Sequence, residues 1–416
     1  MPPRPAAAHT FTRDQVFAIA LLAFLQFTIV LDFMILSPLG AILLQALNIT
    51  TAQFGLAVSV YAISAAISGM LAAGFADRFD RKRLLLFFYT GFVLGTLVCG
   101  IAPNYHVLLA GRIVTGFFGG VIGAISLAIV ADLFPIEVRG RVMGFVQTAF
   151  AASQVLGIPI GIFLANHFGW HAPFLLIVCV ALAVGIVITL RLQPIDAHLA
   201  HRSGKSPFQQ LWRTAANRQY QAGFMATTLL TTGGFMLMPF GSAFTVHNLG
   251  IPLDQLPMVY MATGLCSLAF GPFFGRLSDQ VGKYRMLCYG TLAGVIMVLI
   301  ITRLGITPLW GVIGLNIVLF ASISGRMVAA GALNTAMPDA GDRGAYMSIN
   351  ASLQQVAGGI ASLAAGMIVV QRPDGYLSHY PVLGYVVAAT MIISMLLMGR
   401  VNRVVTGKHQ ARPKVA

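Results

Sequence analysis

One carboxylate, Asp32, interrupts the apolar run "VFAIALLAFLQFTIVLDFMILSPLG". An acid at the centre of a bilayer-spanning helix costs about 2.5–3.5 kcal/mol on insertion scales. It persists there only if protonated, paired or wetted. Burial disfavours the charged form and a neighbouring cation favours it, so a carboxyl held between the two can load and release a proton. The other acids (Asp14, Asp77, Asp80, Asp132, Glu137, Asp196, Asp254, Asp279, Asp339, Asp342 and Asp374) fall at expected helix ends or in loops. Two cations, Arg112 and Arg326, fall inside expected spans. The chemistry these residues offer is proton transfer or ion binding within a membrane. The alternative for Asp32 is a structural polar contact between helices. Arg326 could equally be a packing residue whose head snorkels to an edge.

Composition supports a membrane setting. Of 416 residues 57% are hydrophobic and 9% charged, against about 25% charged in a typical soluble protein. Lipid is therefore the main solvent. Cys99, Cys179, Cys266 and Cys288 show no CxxC or Cys/His spacing, so neither a disulfide framework nor a metal site is expected. The first apolar run is too long for a signal peptide and reads as a retained span.

About 20 apolar residues cross a bilayer. Twelve spans are expected, at 15–44, 52–76, 84–102, 107–132, 140–166, 172–192, 218–247, 255–278, 284–303, 308–336, 344–370 and 381–402. The fold class is all-α and integral to the membrane. The polar stretch 193–217 reads as a cytoplasmic linker between an N-terminal bundle (1–192) and a C-terminal bundle with a basic tail (218–416). A short interfacial helix is expected around Phe208–Thr214. The net charge of +14 lies in short loops, which argues against a nucleic-acid partner. Lys and Arg gather on the side of the termini, while the other side has Arg303 and Arg372. That bias places both termini in the cytoplasm.

The two halves echo each other. "FMILSPLG" at 33–40 matches "FMLMPFG" at 235–241, which sets Gly234 where Asp32 stands. "GFADRFDRKR" matches "GRLSDQVGKYR", "GRIVTGFFGG" echoes "GRMVAAG", and "PIEVRGRVMG" echoes "PDAGDRGAYMS". A doubled six-helix unit is a transporter architecture, with its site near the midplane between repeats.

"AAGFADRFDRKRLL" resembles the loop 2–3 signature of the major facilitator superfamily, and "GRLSDQVGKYR" its second copy. "RIVTGFFGG" is similar to the superfamily's helix-4 pattern, "DLFPIEVRGR" to its helix 4–5 turn, and "SQVLGIPIG" weakly to the helix-5 motif of proton-driven antiporters. The nearest branch is the twelve-span drug:proton antiporters. The resemblance implies two pseudo-symmetric bundles around a central cavity, with helices 1 and 4 lining it, so that Asp32 and Arg112 become candidate partners in proton coupling or substrate binding. It also implies a conformational latch of Asp77, Arg81 and Asp132, with Asp279 and Lys283 in the second copy. Asp80 replaces the signature's loop glycine and is expected to take its left-handed turn.

Softer cavity candidates are Gln26, Phe33, Ser37, Gln147, Gln154, Thr231, Phe235, Met238, Asn334, Asn350 and Gln354; each could instead be an interhelical hydrogen bond. The expected function is alternating-access, proton-coupled efflux of small lipophilic or cationic compounds. The alternative is a carrier of one metabolite, such as a sugar or organic acid, with Arg112 as the anion contact. No Walker loop, HExxH or GxSxG motif appears, so an enzyme is not expected. No cofactor or metal is expected, and a proton gradient is the energy source. The expected setting is a bacterial cytoplasmic membrane, with the lipid bilayer and a small molecule as partners and a monomer as the working form.

Overall fold

The computed structural model describes residues 11–75, 79–196, 207–339 and 342–410. Twelve of its helices or helix pairs are long and apolar enough to span a membrane. Hydrocarbon offers no partner for backbone N–H and C=O groups, so each apolar run closes its own hydrogen bonds as a helix. The spans begin with α1 (Arg13–Ile35) and α2 (Gly40–Ala46), then α3 (Thr51–Phe75), α4 (Arg81–Gly100) and α5 (Tyr105–Leu133). The fifth combines α6 (Ile136–Ala152), a π-helical turn Ser153–Gly157 and α7 (Ile158–Phe168); α8 (Ala172–Arg191) ends the first half. The amphipathic α9 (Pro207–Ala216) lies in the linker, at the place of the expected short helix. The second half holds α10 (Arg218–Leu237), a 3-10 turn Met238–Phe240, α11 (Gly241–His247), α12 (Leu256–Val281), α13 (Lys283–Ile301), α14 (Leu309–Ala336), α15 (Arg343–Ile368) and α16 (Tyr380–Gln410). A two-stranded hairpin, β1 (Val370–Gln371) with β2 (Leu377–Ser378), precedes α16.

The halves use the same pairings. α1 packs on α6 and α8 as α10 packs on α15 and α16. α3 and α4 pack on α5 as α12 and α13 pack on α14. One echo falls out of this register. Arg112 lies seven residues after the start of α5, whereas Arg326 lies seventeen after the start of α14. At 1.5 Å per residue the offset is about 15 Å. Asn316, not Arg326, occupies the place of Arg112. Shared Gly-Arg dipeptides on apolar helices made the misaligned match look in phase.

The expected continuous span 15–44 is broken between Ile35 and Gly40, and the seventh breaks at Met238–Phe240. Each break contains a proline, Pro38 or Pro239, which lacks the N–H a helix needs. The breaks meet across the halves. The Ser242 hydroxyl donates to the Ser37 carbonyl at 3.0 Å and accepts from the Ala41 N–H at 3.3 Å. A side chain of one half thus stands inside the i→i−4 bond of a helix in the other.

We call the side carrying the termini the basic face. At the opposite, far face the halves are closed. A Cβ on Gly55 would lie 2.6 Å from the Ser362 carbonyl oxygen, and one on Gly366 2.6 Å from that of Thr51. The Thr51 hydroxyl donates to the Val369 carbonyl at 2.5 Å. One hydrophobic core crosses both halves here, from Leu36 and Phe54 to Phe240 and Ala365. Towards the basic face it divides into two cores, one around Phe88 and Ile125, the other around Phe224 and Tyr346. The bundles therefore diverge towards the basic face. An open groove of about 390 Å³ runs along the basic-side part of α12, lined by Ala269, Pro272, Phe273, Arg276, Leu277 and Gln280, all of that one helix.

Asp80 does not take a left-handed turn: its φ is −55°. Its carboxylate instead caps α4, accepting the Arg83 N–H at 2.8 Å, and also accepts the Ile195 N–H at 2.7 Å. An extended N-cap residue serves a helix start directly, so a left-handed residue is not required.

The glycine seams at the far face generate a prediction. Gly366→Leu forces α3 and α15 apart and favours opening there. An impermeant maleimide should then label a lone cysteine at position 37 faster than in the Gly366 parent. Equal labelling would show that the seam does not hold the far face closed.

Candidate functional site

Asp32 lies on the stripe of α1 that faces α4. Four residues earlier, Thr28 meets Tyr89 of α4 at 3.1 Å between hydroxyls. Asp32 Oδ1 accepts from the Thr96 hydroxyl at 3.2 Å. Arg112 reaches Asp32 from α5. Its Nη1 donates to Asp32 Oδ2 at 2.9 Å and to the Asp32 carbonyl at 3.1 Å.

Glycines make that reach possible. A Cβ on Gly111 would stand 2.6 Å from Cys99 Sγ, and one on Gly120 2.5 Å from the Ala65 Cα. With no side chain at these points, the α5 backbone lies against α4 and α3. The Arg112 guanidinium then sits 4.3 Å from the centre of the Tyr61 ring. Such a cation–π contact adds about 2 kcal/mol or more where water is excluded.

Water is excluded here: Asp32 is 0% exposed and Arg112 1%. Replacing such a pair with apolar groups is often neutral or stabilising, while removing one partner costs about 3–5 kcal/mol. Stability alone is thus a weak reason to keep it. Arg112 Nε is buried with no hydrogen-bond partner among the described residues.

An aromatic bridge joins this site to the other half. Phe33 packs against Tyr61 at 5.3 Å and against Phe235 of α10 at 5.8 Å between ring centres. Phe235 in turn lies over Gly358 of α15, where a Cβ would come within 2.8 Å of its ring. The fifth span crosses α1 at its π-helical turn, where the Ser153 hydroxyl donates to the Phe27 carbonyl at 3.2 Å. Single π turns recur at functional positions in helices.

Sequence reasoning misses Tyr61 and Thr96. A tyrosine or threonine within an apolar helix carries no local mark of its tertiary partner.

The structure separates the softer candidates. Phe33 and Phe235 meet. Thr231 donates to Gln354 Oε1 at 3.3 Å, Thr227 bonds Asn350, and Tyr346 donates to Asn334. These bonds tie α10 and α14 to α15, the interhelical use of polar groups. Ser37 and Met238 lie at the two proline breaks. Gln26 is half-buried and Gln147 exposed. Gln154 lies in the π turn, its carbonyl 3.2 Å from where a Cβ of Gly264 would be.

Of the expected latch, Arg81 Nε pairs with Asp132 Oδ2 at 3.1 Å, joining the start of α4 to the end of α5. Asp77 lies outside the described residues. Asp279 and Lys283 are exposed and form no ion pair with each other.

The buried pair predicts a double-mutant cycle. Asp32→Ala alone should lower thermal stability by about 3–5 kcal/mol. Asp32→Ala with Arg112→Met should recover most of that loss in a melt of the purified protein. Additive losses would show that the two charges do not depend on each other.

Comparisons with known proteins agree with this architecture. The Major Facilitator Superfamily model matches residues 22–241 and 223–414. The chain is 28% identical over 273 residues to the uncharacterized MFS-type transporter YceJ of Bacillus subtilis, covering 64% of this chain and 68% of that one. It is 25% identical to Multidrug resistance protein 2 of the same organism, over 64% and 68% of the two chains. It is 23% identical to a putative metabolite transport protein of Haemophilus influenzae, over 82% and 85%. Among solved structures, a bacterial homolog of the human lysosomal transporter Spinster, inward-facing and unoccupied, superposes with a TM-score of 0.73 at 14% identity, covering 98% of this chain and 100% of that one. A mutant of the nucleoside transporter NupG superposes at 0.75 with 12% identity, covering 92% and 99%. With both halves matched by the family model and a doubled six-helix fold throughout, the chain belongs to the Major Facilitator Superfamily of membrane transporters.

Proposed function

We propose that this chain is a proton-coupled secondary transporter that exports small lipophilic compounds by alternating access. The observation that carries the reading is the Asp32–Arg112 pair at 2.9 Å, fully buried, built on the one acid deep in a span. The basic face is the cytoplasmic one, both termini lie there, and the membrane is a bacterial cytoplasmic membrane. The halves, residues 1–192 and 218–416 joined through 193–217, rock against each other.

Protonating Asp32 neutralises its carboxylate, leaves the site with the single positive charge of Arg112, and frees Arg112 from its strongest partner. The bridge Tyr61–Phe33–Phe235 links that event to the opposite half. When the far face opens, Phe235 withdraws from Phe33, and the pair gains a route to water. When the far face closes, the aromatic rings cover the pair again. Asp77, Arg81 and Asp132, of which Arg81 and Asp132 already pair here, act with Asp279 and Lys283 of the second copy as the latch that holds the basic face when it closes.

Support for a lipophilic substrate comes from the apolar lining by Phe273, Pro272 and Leu277 and from the relative named for multidrug resistance. A cationic substrate would have to displace Arg112 from Asp32. A carrier of a single acidic metabolite is the second reading, favoured by Arg326, a buried cation without an acid beside it.

The test is flux in proteoliposomes under an imposed pH gradient, with lipophilic cations, neutral drugs, sugars and organic acids. Wild type should drive at least one compound uphill. Asp32→Asn should abolish uphill flux and retain downhill exchange. Uphill flux by Asp32→Asn equal to wild type would remove Asp32 from the coupling step.

A further inference from the structure

Arg326 lies past the midpoint of α14, 4% exposed, and its Nε and Nη2 have no hydrogen-bond partner among the described residues. An uncompensated buried cation is costly. The first half solves the same problem for Arg112 with Asp32. The second half has no acid in reach of that solution: Asp254, Asp279, Asp339, Asp342 and Asp374 all lie in loops or at helix ends.

A second orphan lies on α13, the helix packed against this stretch of α14. Thr291 of α13 is 2% exposed, and its hydroxyl also lacks a partner among the described residues. It follows Gly290, where a Cβ would stand 2.9 Å from the Arg326 backbone nitrogen. On most transmembrane threonines here the hydroxyl bonds the carbonyl four residues back, as Thr302 does to Val298 at 2.8 Å. Thr291 does not. Two unspent donors therefore share one seam of the second half.

α12, whose groove faces the basic side, packs against the same stretch of α14. A Cβ on Gly325 would lie 3.5 Å from Phe274, whose ring packs at 5.1 Å against Phe273 of the groove wall. The charged residue lining that groove is another cation, Arg276.

We propose that Arg326, helped by Thr291, is the binding site for an anionic head group, a carboxylate or phosphate, on an otherwise apolar substrate. This deepens the transport reading and rests on it. A guanidinium offers two parallel donors to either group, and the apolar body fits the Phe- and Pro-lined groove.

Binding can be tested without a proton gradient, so its failure is separable from failure of coupling. Thermal unfolding of the full chain in a non-ionic detergent would be followed against octanoate, octyl phosphate, octanol, octyltrimethylammonium, chloride and inorganic phosphate. Octanoate and octyl phosphate should stabilise wild type saturably, and octanol and the ammonium should not. Arg326→Gln should weaken octanoate binding by about tenfold or more, the loss expected for a charge-assisted hydrogen bond. Arg326→Lys should retain part of it, and Thr291→Val should weaken it less. Without ligand, Arg326→Gln should melt no lower than wild type, because it removes an uncompensated charge. The proposal is overturned if octanoate acts no differently from octanol, if Arg326→Gln and Thr291→Val both bind like wild type, or if chloride or phosphate alone gives the full shift.

Discussion

The Arg112 guanidinium reaches Asp32 because three helices meet without side chains at their seams. Gly111 admits α4, and Gly116 and Gly120 admit α3. In hydrocarbon no water screens a charge, and each polar group must find its partner inside the protein. The helices are consequently positioned by the needs of one ion pair as well as by apolar packing. Thr96 and Tyr61 complete its surroundings, one by a hydroxyl and the other by a ring face.

That pair is remote from bulk water in this state, and closure of the far face keeps it so. The closure depends on small residues rather than on strong bonds. Backbones of α3 and α15 touch at Gly55, Gly359 and Gly366, and Ser242 completes the broken helix of the other half. Contacts of this kind separate at modest cost, which suits a surface that must open and close in every cycle. Opposite them, the divided cores towards the basic face leave α12 partly unpacked. The two ends thus differ in the way alternating access requires.

Much of this was legible from residue types alone. Apolar runs of about 20 residues locate the spans because lipid leaves the backbone one economical form. Asp32 stood out as a rare charge in hydrocarbon, but its pairing with Arg112 rather than Arg326 came from the family resemblance, which sets helices 1 and 4 on the central cavity. The roles of Thr96 and Tyr61 were not legible, since they depend on which helix faces which. The match of "GRIVTGFFGG" to "GRMVAAG" misled for a related reason: apolar sequence repeats cheaply, and the helix starts at Tyr105 and Leu309 reveal the slip. Asp80 read as a turn residue because the motif has glycine there, while its carboxylate is used as a cap. Nor could sequence show that Asn334, Asn350 and Gln354 would spend their hydrogen bonds on neighbouring helices.

The proposed proton coupling requires Asp32 to gain and lose a proton inside the membrane. Infrared difference spectroscopy on the reconstituted protein, stepping pH across the physiological range, observes that directly. Coupling through Asp32 predicts a protonated-carboxyl band that titrates reversibly in wild type and is missing in Asp32→Asn. A spectrum in which the titrating carboxyl signals of wild type and Asp32→Asn coincide would contradict it.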